Sequence, residues 1–193
     1  FDAEKGGLVR IESVGKNMPW RIDARNVAQA FALDALLNEK IQLVTLVGKA
    51  GTGKTLLAVA AGIHKTVDTN LFNRILVSRP TLPMGKDIGY LPGTIEQKLT
   101  PWMYPIADNV ELIMRRESRA QRSIRGFQEL VDMGILVIEP LTYIRGRSIH
   151  QQYLIVDEAQ NLTPHEIKTI ITRLGDGTKI ILTGDPYQID NPY

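Results

Sequence analysis

Short apolar runs alternate with longer segments of helical periodicity along most of the chain. Apolar residues three and four positions apart predict helices at residues 26–38, where an Asn occupies the first position, and 55–67. The run at 41–47 is apolar almost throughout, which is typical of a strand covered on both faces. Runs rich in β-branched and other apolar residues predict strands at residues 41–47, 74–78, 135–138, 153–156 and 179–183.

The order of these elements predicts the fold class. Strands that alternate with helices indicate an α/β fold with a doubly wound, mostly parallel sheet, in which ligands bind at the carboxyl ends of the strands. Residues 20–193 are expected to form this single domain. Residues 8–14 alternate between apolar and polar positions, which predicts a short strand or hairpin within an N-terminal extension at residues 1–19.

Two further segments have a distinct local character. Residues 81–105 are rich in Pro and Gly and are expected to be irregular, with helical patterns resuming to about Met133. The helix after Thr163 has a clear start signal, because Thr163 can cap it, Pro164 suits its first position and Glu166 completes a capping box. Together these features contribute about 1 kcal/mol.

Composition excludes several classes of protein. With 193 residues, 44% apolar and 23% charged, the chain can bury a substantial core and is ordinary for a globular domain. It has no cysteine, which excludes disulfides and thiolate metal sites, and no apolar run of membrane-spanning length, so a cytoplasmic protein without a membrane contact is expected. The net charge of +2 is too small to indicate a nucleic-acid partner by itself. The chain begins with Phe1 and ends with Tyr193, directly after an Asp-Asn-Pro turn, so it is expected to be a fragment of a longer protein.

A glycine-rich segment follows the first predicted strand. Residues 48–55 read GKAGTGKT and match the pattern G-x-x-x-x-G-K-[ST]. Glycines let the backbone wrap closely enough for its N–H groups to bind phosphate oxygens, and the helix N-terminus behind them attracts anions. In this pattern Lys54 reaches the β- and γ-phosphates and the Thr55 hydroxyl binds Mg²⁺. The strand before and the helix after favour a nucleotide site over a chance match to a flexible turn. The predicted nucleotide contacts are Gly48, Lys49, Ala50, Gly51, Thr52, Gly53, Lys54 and Thr55.

Two adjacent carboxylates end another apolar run. Residues 153–156 lead directly into Asp157 and Glu158. A phosphate-binding loop needs an acid at the end of a second strand to complete the Mg²⁺ shell, and Asp157 suits that role. Glu158 is the predicted catalytic base, which orients the attacking water. The alternative, a solvated acidic helix cap, is weakened because Thr163 already caps the following helix.

A third polar segment follows the last predicted strand. Residues 183–190 read TGDPYQID, in which Gly184 and Asp185 turn the chain and Gln188 is placed to contact a γ-phosphate. An uncharged amide at that point senses phosphate without repelling it. The chain has neither the N-K-x-D motif of a GTPase nor the LSGGQ-like segment of a transporter ATPase. ATP and Mg²⁺ are therefore the predicted ligands.

These motifs together resemble a known family. DEAQ, followed by a strand and GDPYQ, is similar to the pattern of superfamily-one helicases, and the chain more narrowly resembles the PhoH-like ATPases. The matching segments cover nearly the whole chain from Trp20 onward, and MGKDIGYLPG is the most discriminating of them. They are RNVAQAFALDALL, LVTLVGKAGTGKT, SRP, MGKDIGYLPG, PWMYPIADN, YIRGRS, DEAQNLTPHE, TRLGDGTKIILTGDPYQID and NPY.

The resemblance implies a single RecA-like P-loop NTPase domain, truncated here at its C-terminus. It implies that Asn26 and Gln29 contact the adenine, although an ordinary exposed helix position remains the alternative for Gln29. The lead-in WRIDARNVAQ is similar to proteins in which a PIN ribonuclease domain precedes the PhoH domain in the same chain. A superfamily-one helicase needs a second lobe that supplies an arginine. The resemblance therefore implies either a homo-oligomeric ring, for example a hexamer, or a fragment that hydrolyses ATP poorly alone.

Several arginines are candidates for contacts with nucleic acid or with a neighbouring subunit. Arg79 follows a strand end beside the phosphate loop, where it contacts phosphate or nucleic acid or is a simple surface residue. Arg145 and Arg147 flank Gly146, which allows a close backbone approach. Arg173, at the end of the capped helix, is either an arginine finger that reaches a neighbouring subunit or a cation favourable to the helix dipole.

A denser basic cluster lies between Arg79 and Arg145 in the sequence. Its members would cover a broad basic face on a helix, able to neutralise phosphates, although a solvated face is the alternative. Trp102 and Tyr104 precede the cluster and either stack on bases or pack within a loop core. The cluster comprises Arg115, Arg116, Arg119, Arg122 and Arg125.

Two functions from different classes agree with these observations. The favoured hypothesis is an ATP-driven motor on single-stranded RNA, coupled to a ribonuclease domain. The alternative is a nucleotide-dependent oligomerisation switch with slow hydrolysis. A small-molecule kinase is disfavoured because it would not need the pair of DEAQ and GDPYQ motifs.

Overall fold

The structure is a computed structural model, and its described part omits several of the predicted features. The N-terminal strand, the MGKDIGYLPG segment, the side chain of Trp102, three arginines of the basic cluster (Arg119, Arg122, Arg125), Arg145 and the final NPY lie outside it. Within residues 95–103 the backbone alone is described. The described residues are 20, 22–80, 95–116, 124, 126–144 and 146–190.

Within the described residues, five parallel strands form one sheet. One helix precedes the first strand and the others lie between successive strands along the chain, which confirms the predicted α/β class and its parallel sheet. The strands are β1 (Leu43–Val47), β2 (Arg74–Arg79), β3 (Leu136–Pro140), β4 (Gln152–Val156) and β5 (Lys179–Gly184). Their spatial order in the sheet is β1-β5-β4-β2-β3. The helices are α1 (Val27–Leu37), α2 (Lys54–Ile63), α3 (Ile95–Arg116), α4 (Phe127–Asp132), α5 (Leu141–Ile144) and α6 (Pro164–Ile171). A π-helical turn (His64–Asp68) extends α2, and a 3-10 turn (Ala159–Asn161) follows β4.

Apolar clusters cover both faces of the sheet, because successive strand residues point to opposite faces. Ile75 and Val77 of β2 belong to the larger cluster, which they share with residues of α1, α2, α3 and α4. Leu76, between them, belongs to the second cluster with Leu141 of α5 and Ile170 of α6. The sheet is therefore doubly wound, as the alternation of elements predicts. None of the described helices combines the length and the apolar character that a membrane span requires.

The start signals predicted for two helices are confirmed. The side chain of Asn26 accepts a hydrogen bond from the Gln29 N–H at the start of α1. At α6, the Thr163 side chain accepts from the Glu166 N–H, while the Glu166 carboxylate accepts from the Thr163 N–H. Each cap satisfies backbone donors that the first helical turn leaves without partners.

The prediction that the first strand is covered on both faces was wrong. In the described part of the chain, β1 lies at an edge of the sheet and pairs with β5 alone. Leu43 is 49% exposed and Val47 is 66% exposed, whereas Val44 is buried. An apolar run indicates a strand whose side chains suit packing, but the position of that strand in the sheet is set by pairing with distant segments.

The irregular region was predicted to extend too far. The backbone is helical from Ile95, so α3 includes Pro101 and Pro105. Proline inside a helix costs about 3 kcal/mol. Fully burying one large apolar side chain contributes about 1.5–3 kcal/mol, and α3 buries several, so packing outweighs the local penalty. Among the side chains of α3 that the structure describes, the buried ones are Ile106, Val110, Ile113 and Met114.

Lys179, the first residue of β5, is buried and holds the end of α1. Its Nζ donates hydrogen bonds to the backbone carbonyls of Ala35 (2.9 Å), Asn38 (2.8 Å) and Ile41 (2.6 Å). These carbonyls lie at or just beyond the C-terminus of α1, where carbonyls lack helical partners and the helix dipole favours a cation. The ammonium thus joins α1 to the sheet.

Replacing Lys179 with Met is expected to lower the free energy of unfolding by about 2 kcal/mol at neutral pH, because three carbonyls lose a buried donor. Burial, assisted by the charge of Lys65 and opposed by that of Glu39, lowers the pKa of Lys179 from 10.5 to about 8. Between these values the unfolded chain keeps a proton that the folded chain has released. The contribution of Lys179 to stability therefore rises with pH above about 8 and is constant below it. Urea unfolding of the parent and of Lys179→Met is measured at neutral pH and at about pH 9.5. The difference between their free energies of unfolding should be larger at the higher pH. An equal difference at both pH values would contradict the assignment.

Candidate nucleotide site

The glycine-rich loop connects the end of β1 to the start of α2. Gly51 and Gly53 have φ angles of 75° and 85°, in the left-handed region that favours glycine. The Gly48 N–H donates to the Gly184 carbonyl at 3.2 Å, which ties the loop to the end of β5. The Thr52 hydroxyl donates to the Lys49 carbonyl at 2.7 Å. The loop is thereby folded around the N-terminus of α2.

A cavity of about 220 Å³ lies between this loop and the carboxyl ends of β4 and β5. It occupies the edge of the sheet at which doubly wound folds bind ligands. The loop, both acids and Gln188, which the sequence predicts separately, all line it. Its lining residues are Ala50, Gly51, Gly53, Lys54, Thr55, Leu56, Asn109, Asp157, Glu158, Thr183, Gly184, Asp185 and Gln188.

The Lys54 ammonium lies within the loop. Its Nζ donates to the Gly48 carbonyl at 2.7 Å and to the Lys49 carbonyl at 3.0 Å. Both acceptors belong to the loop itself, so the ammonium is held at the wall of the cavity beside the N-terminus of α2. A cation at this point attracts phosphate oxygens.

Asp157 is buried in the site, with 4% of its surface exposed. Its Oδ1 accepts hydrogen bonds from the Thr55 hydroxyl at 2.8 Å and from the Thr183 hydroxyl at 2.6 Å. Its Oδ2 lies 3.4 Å from the Arg79 Nε. The end of β4 therefore meets the start of α2, the end of β5 and the end of β2 at one carboxylate.

The donor atoms here fit Mg²⁺. This ion prefers oxygen ligands and is usually held by one or two carboxylates together with waters and substrate phosphates. The Thr55 hydroxyl and the Asp157 carboxylate are oxygen donors in direct contact. Among the described residues there is no group of three or more His, Cys, Asp or Glu side chains arranged to hold a metal. The residues that would hold Mg²⁺ are thus Thr55 and Asp157, with the nucleotide's phosphates.

Glu158 occupies a strained backbone position. Its φ and ψ angles are 55° and 39°, in the left-handed region, which costs an ordinary residue about 1–2 kcal/mol. The carboxylate accepts from the Gln160 Nε2 at 2.6 Å and from the Arg79 Nη2 at 3.3 Å. The side chain is 36% exposed, so it is held from two sides and still reaches the cavity.

The structure assigns contacts to two residues that the sequence did not single out for this site. Asp185 is 4% exposed, and its Oδ2 accepts from the Ala50 N–H of the loop at 2.7 Å. The Gln160 Oε1 accepts from the Asp185 N–H at 3.1 Å, and its Nε2 also donates to the Gln188 carbonyl at 3.0 Å. Both residues lie in the quoted DEAQ and GDPYQ segments, but only a turn was predicted for Asp185 and nothing for Gln160. They join the loop, Glu158 and the segment after β5.

Asn26 and Gln29 have internal partners that the predicted adenine contact did not include. Asn26 caps α1, and Gln29 Nε2 donates to the Thr52 carbonyl at 3.1 Å. The Gln29 Oε1 accepts from the Arg25 N–H at 2.8 Å. Gln29 thus tethers α1 to the phosphate loop, beside a second cavity of about 450 Å³ between α1 and β1. A contact of either residue with adenine stays a prediction.

The candidate arginines have different surroundings. Arg79 joins the site by contacting both acids. Arg147 pairs with Glu139 at the end of β3, and Arg173 is exposed just beyond α6. Arg115, from the basic cluster, is exposed in the last turn of α3. Nucleic-acid and intersubunit contacts of these residues stay predictions.

Comparisons with known proteins agree with this geometry. The family model described as PhoH-like protein matches residues 21–193. Protein PhoH2 of Bacillus subtilis (strain 168) is 55% identical over 174 residues, which cover 90% of this chain and 38% of that protein. Protein PhoH2 of Mycolicibacterium smegmatis (strain ATCC 700084 / mc(2)155) is 38% identical over 190 residues, which cover 98% of this chain and 41% of that protein. The chain thus spans less than half the length of these curated relatives.

The fold also matches a solved structure. The UvsW helicase from Bacteriophage T4 is similar with a TM-score of 0.53 and 18% identity, over 85% of this chain and 53% of that chain. At that identity the similarity concerns the fold. The parallel sheet with helices on both faces is thus a RecA-type α/β fold.

Proposed function

The chain belongs to the PhoH-like protein family, and from this premise we propose that it binds ATP with Mg²⁺ and hydrolyses it to drive remodelling of single-stranded RNA. One observation carries the hydrolytic part. The Thr55 hydroxyl of the phosphate loop contacts Asp157, and Glu158 follows Asp157 at the rim of the same cavity. P-loop NTPases that transfer a phosphoryl group to water need this juxtaposition of loop, metal-shell acid and base.

The residues of the site have separate roles in hydrolysis. Backbone N–H groups of the loop and the Lys54 ammonium bind the β- and γ-phosphates. Thr55 and Asp157 would hold Mg²⁺, and the chemistry supplied by the bound ion would be neutralisation of charge on the β- and γ-phosphate oxygens. Glu158 accepts a hydrogen bond from a water and takes its proton as the oxygen attacks the γ-phosphorus. The bond from the γ-phosphorus to the bridging oxygen breaks, which yields ADP and phosphate.

The RNA and ribonuclease parts of the proposal rest on family resemblance. Exposed Arg115 at the end of α3 and Tyr104, which is 59% exposed on the same helix, supply the charge and the aromatic face that single-stranded nucleic acid needs. A PIN ribonuclease domain in the parent chain, a homo-oligomeric ring and a cytoplasmic location belong to the same proposal. In a ring, Arg173 is the candidate for completing a neighbour's site.

Single-stranded RNA is expected to stimulate phosphate release from ATP by this chain. The test is steady-state hydrolysis with and without RNA, repeated over a range of salt and of protein concentration, with Glu158→Gln as the variant deficient in hydrolysis. Stimulation that weakens steeply with salt supports the motor, because phosphate contacts release counterions. A hydrolysis rate per protein molecule that RNA does not change, but that rises with protein concentration, would instead identify a nucleotide-dependent assembly switch.

A further inference from the structure

Arg79 lies between the two acids of the site. As the last residue of β2 it stands beside the end of β4, because these strands pair in parallel with Ser78 opposite Val156. Its Nε is 3.4 Å from the Asp157 Oδ2, and its Nη2 is 3.3 Å from the Glu158 Oε1. The Arg79 side chain is 23% exposed, so the contacts are partly shielded from water. Shielding strengthens the interaction between charges.

The contact with Asp157 bears on metal binding. The two oxygens of this carboxylate have different partners, hydroxyl donors at Oδ1 and the guanidinium at Oδ2. A guanidinium and a divalent cation that draw on one carboxylate repel each other, so each lowers the affinity of the site for the other. Arg79 is therefore an internal cation that competes with the metal for the charge of Asp157.

The contact between Arg79 and Glu158 affects the position of the Glu158 carboxylate. Glu158 has a left-handed backbone, and its carboxylate is held by Arg79 at one oxygen and by Gln160 at the other. A base must lie within hydrogen-bond reach of the water it orients, and small displacements lower the rate strongly. The two partners fix the direction in which this carboxylate points.

We propose that Arg79 is a positioning residue with two linked effects, weakening metal binding at Asp157 and fixing the carboxylate of Glu158. The inference deepens the proposed ATPase function and rests on it. As a consequence, tight metal binding depends on the phosphates of the nucleotide, whose negative charge outweighs that of the guanidinium. The order of events follows from this, since a metal ion enters the site with the nucleotide rather than ahead of it.

The test compares the full chain with Arg79→Gln, Arg79→Lys and the matched control Arg74→Gln. Arg74 is exposed at the opposite end of the same strand. Mn²⁺ is titrated into each protein in the presence of ADP, and the free ion is measured by electron paramagnetic resonance. Arg79→Gln should bind Mn²⁺ about tenfold more tightly than the parent, because the substitution removes one positive charge from the site. Arg79→Lys, which keeps the charge, and Arg74→Gln should match the parent. Equal Mn²⁺ affinity in the parent and Arg79→Gln would overturn the proposal.

Turnover supplies the second measurement. Both Arg79 variants should lose about tenfold or more in kcat with little change in the KM for ATP, because neither replacement keeps the planar guanidinium that contacts Asp157 through one nitrogen and Glu158 through another. A selective loss of ATP affinity relative to ADP, with Mn²⁺ affinity unchanged, would identify Arg79 as a phosphate ligand and overturn the proposal. If the parent binds ADP but does not hydrolyse ATP, the proposed function fails, while the Mn²⁺ titration still decides the effect of Arg79 on the metal.

Discussion

Replacing Glu158 with Gln is expected to lower the rate of ATP hydrolysis by about 10²–10⁴-fold, the usual contribution of a general base. The amide is nearly isosteric with the carboxylate and keeps only part of its hydrogen bonding to Arg79 and Gln160. It cannot take a proton from water. The Thr55–Asp157 contact does not involve Glu158, so nucleotide affinity should change little. The expected variant binds ATP and retains it.

The measurement pairs phosphate release in single-turnover conditions with the affinity for a fluorescent ATP analogue. Glu39→Gln is the matched control, because Glu39 is a surface carboxylate paired with Lys65 and does not line the cavity. It should hydrolyse ATP at the parent's rate. If Glu158→Gln also hydrolyses ATP at that rate, Glu158 is not the base and the water must be oriented by another residue of the site.

The parts of the site that follow one another in the sequence could be predicted from it. The loop at residues 48–55 needs glycine at Gly51 and Gly53 for its positive φ angles, and the pattern contains them at fixed spacing. The acids at residues 157 and 158 follow an apolar run, and parallel sheets bring strand ends to one edge. Local chemistry and the period of the strands were therefore enough to predict that the loop, Asp157 and Gln188 lie close together, and all three line one cavity.

The contacts that depend on strand order could not be predicted in the same way. β4 has β2 and β5 as its neighbours, and only this order brings Arg79 and Thr183 to Asp157. The pairing arises from long-range packing, which leaves no periodic signal within either segment. The same cause explains β1, whose apolar run predicts a strand but not a place at the edge of the described sheet.

The bonds of Gln160 and Asp185 lie beyond sequence reasoning for a second reason. The Asp185 side chain contacts Ala50, and the Gln160 side chain contacts Asp185, so both contacts join segments that are far apart in the sequence. The Glu158 backbone is in the left-handed region, a conformation for which Glu gives no sequence signal. The site therefore combines a predictable loop with a network that becomes visible only when the strands are assembled.

Replacing Lys54 with Ala is expected to lower the affinity for ATP by about 30-fold to several thousand-fold, the range that follows from truncating one partner of a hydrogen-bonded charge pair. The ammonium is the cation proposed to bind the phosphates, and its side chain lines the cavity. Its present acceptors, the Gly48 and Lys49 carbonyls, lie in a loop that water can reach. The free energy of unfolding should accordingly change by less than about 1 kcal/mol.

The two measurements for Lys54→Ala are isothermal titration with ATP and Mg²⁺, and urea unfolding without nucleotide. Lys168→Ala is the control, because Lys168 is exposed on α6 and does not line the cavity. It removes one positive charge without touching the loop, so it separates the general effect of net charge from a local one. Lys168→Ala should bind ATP as the parent does. Parent-like affinity in Lys54→Ala would place the phosphates outside the loop at residues 48–55, and a large loss of stability would mean that Lys54 acts by holding the loop rather than by binding phosphate.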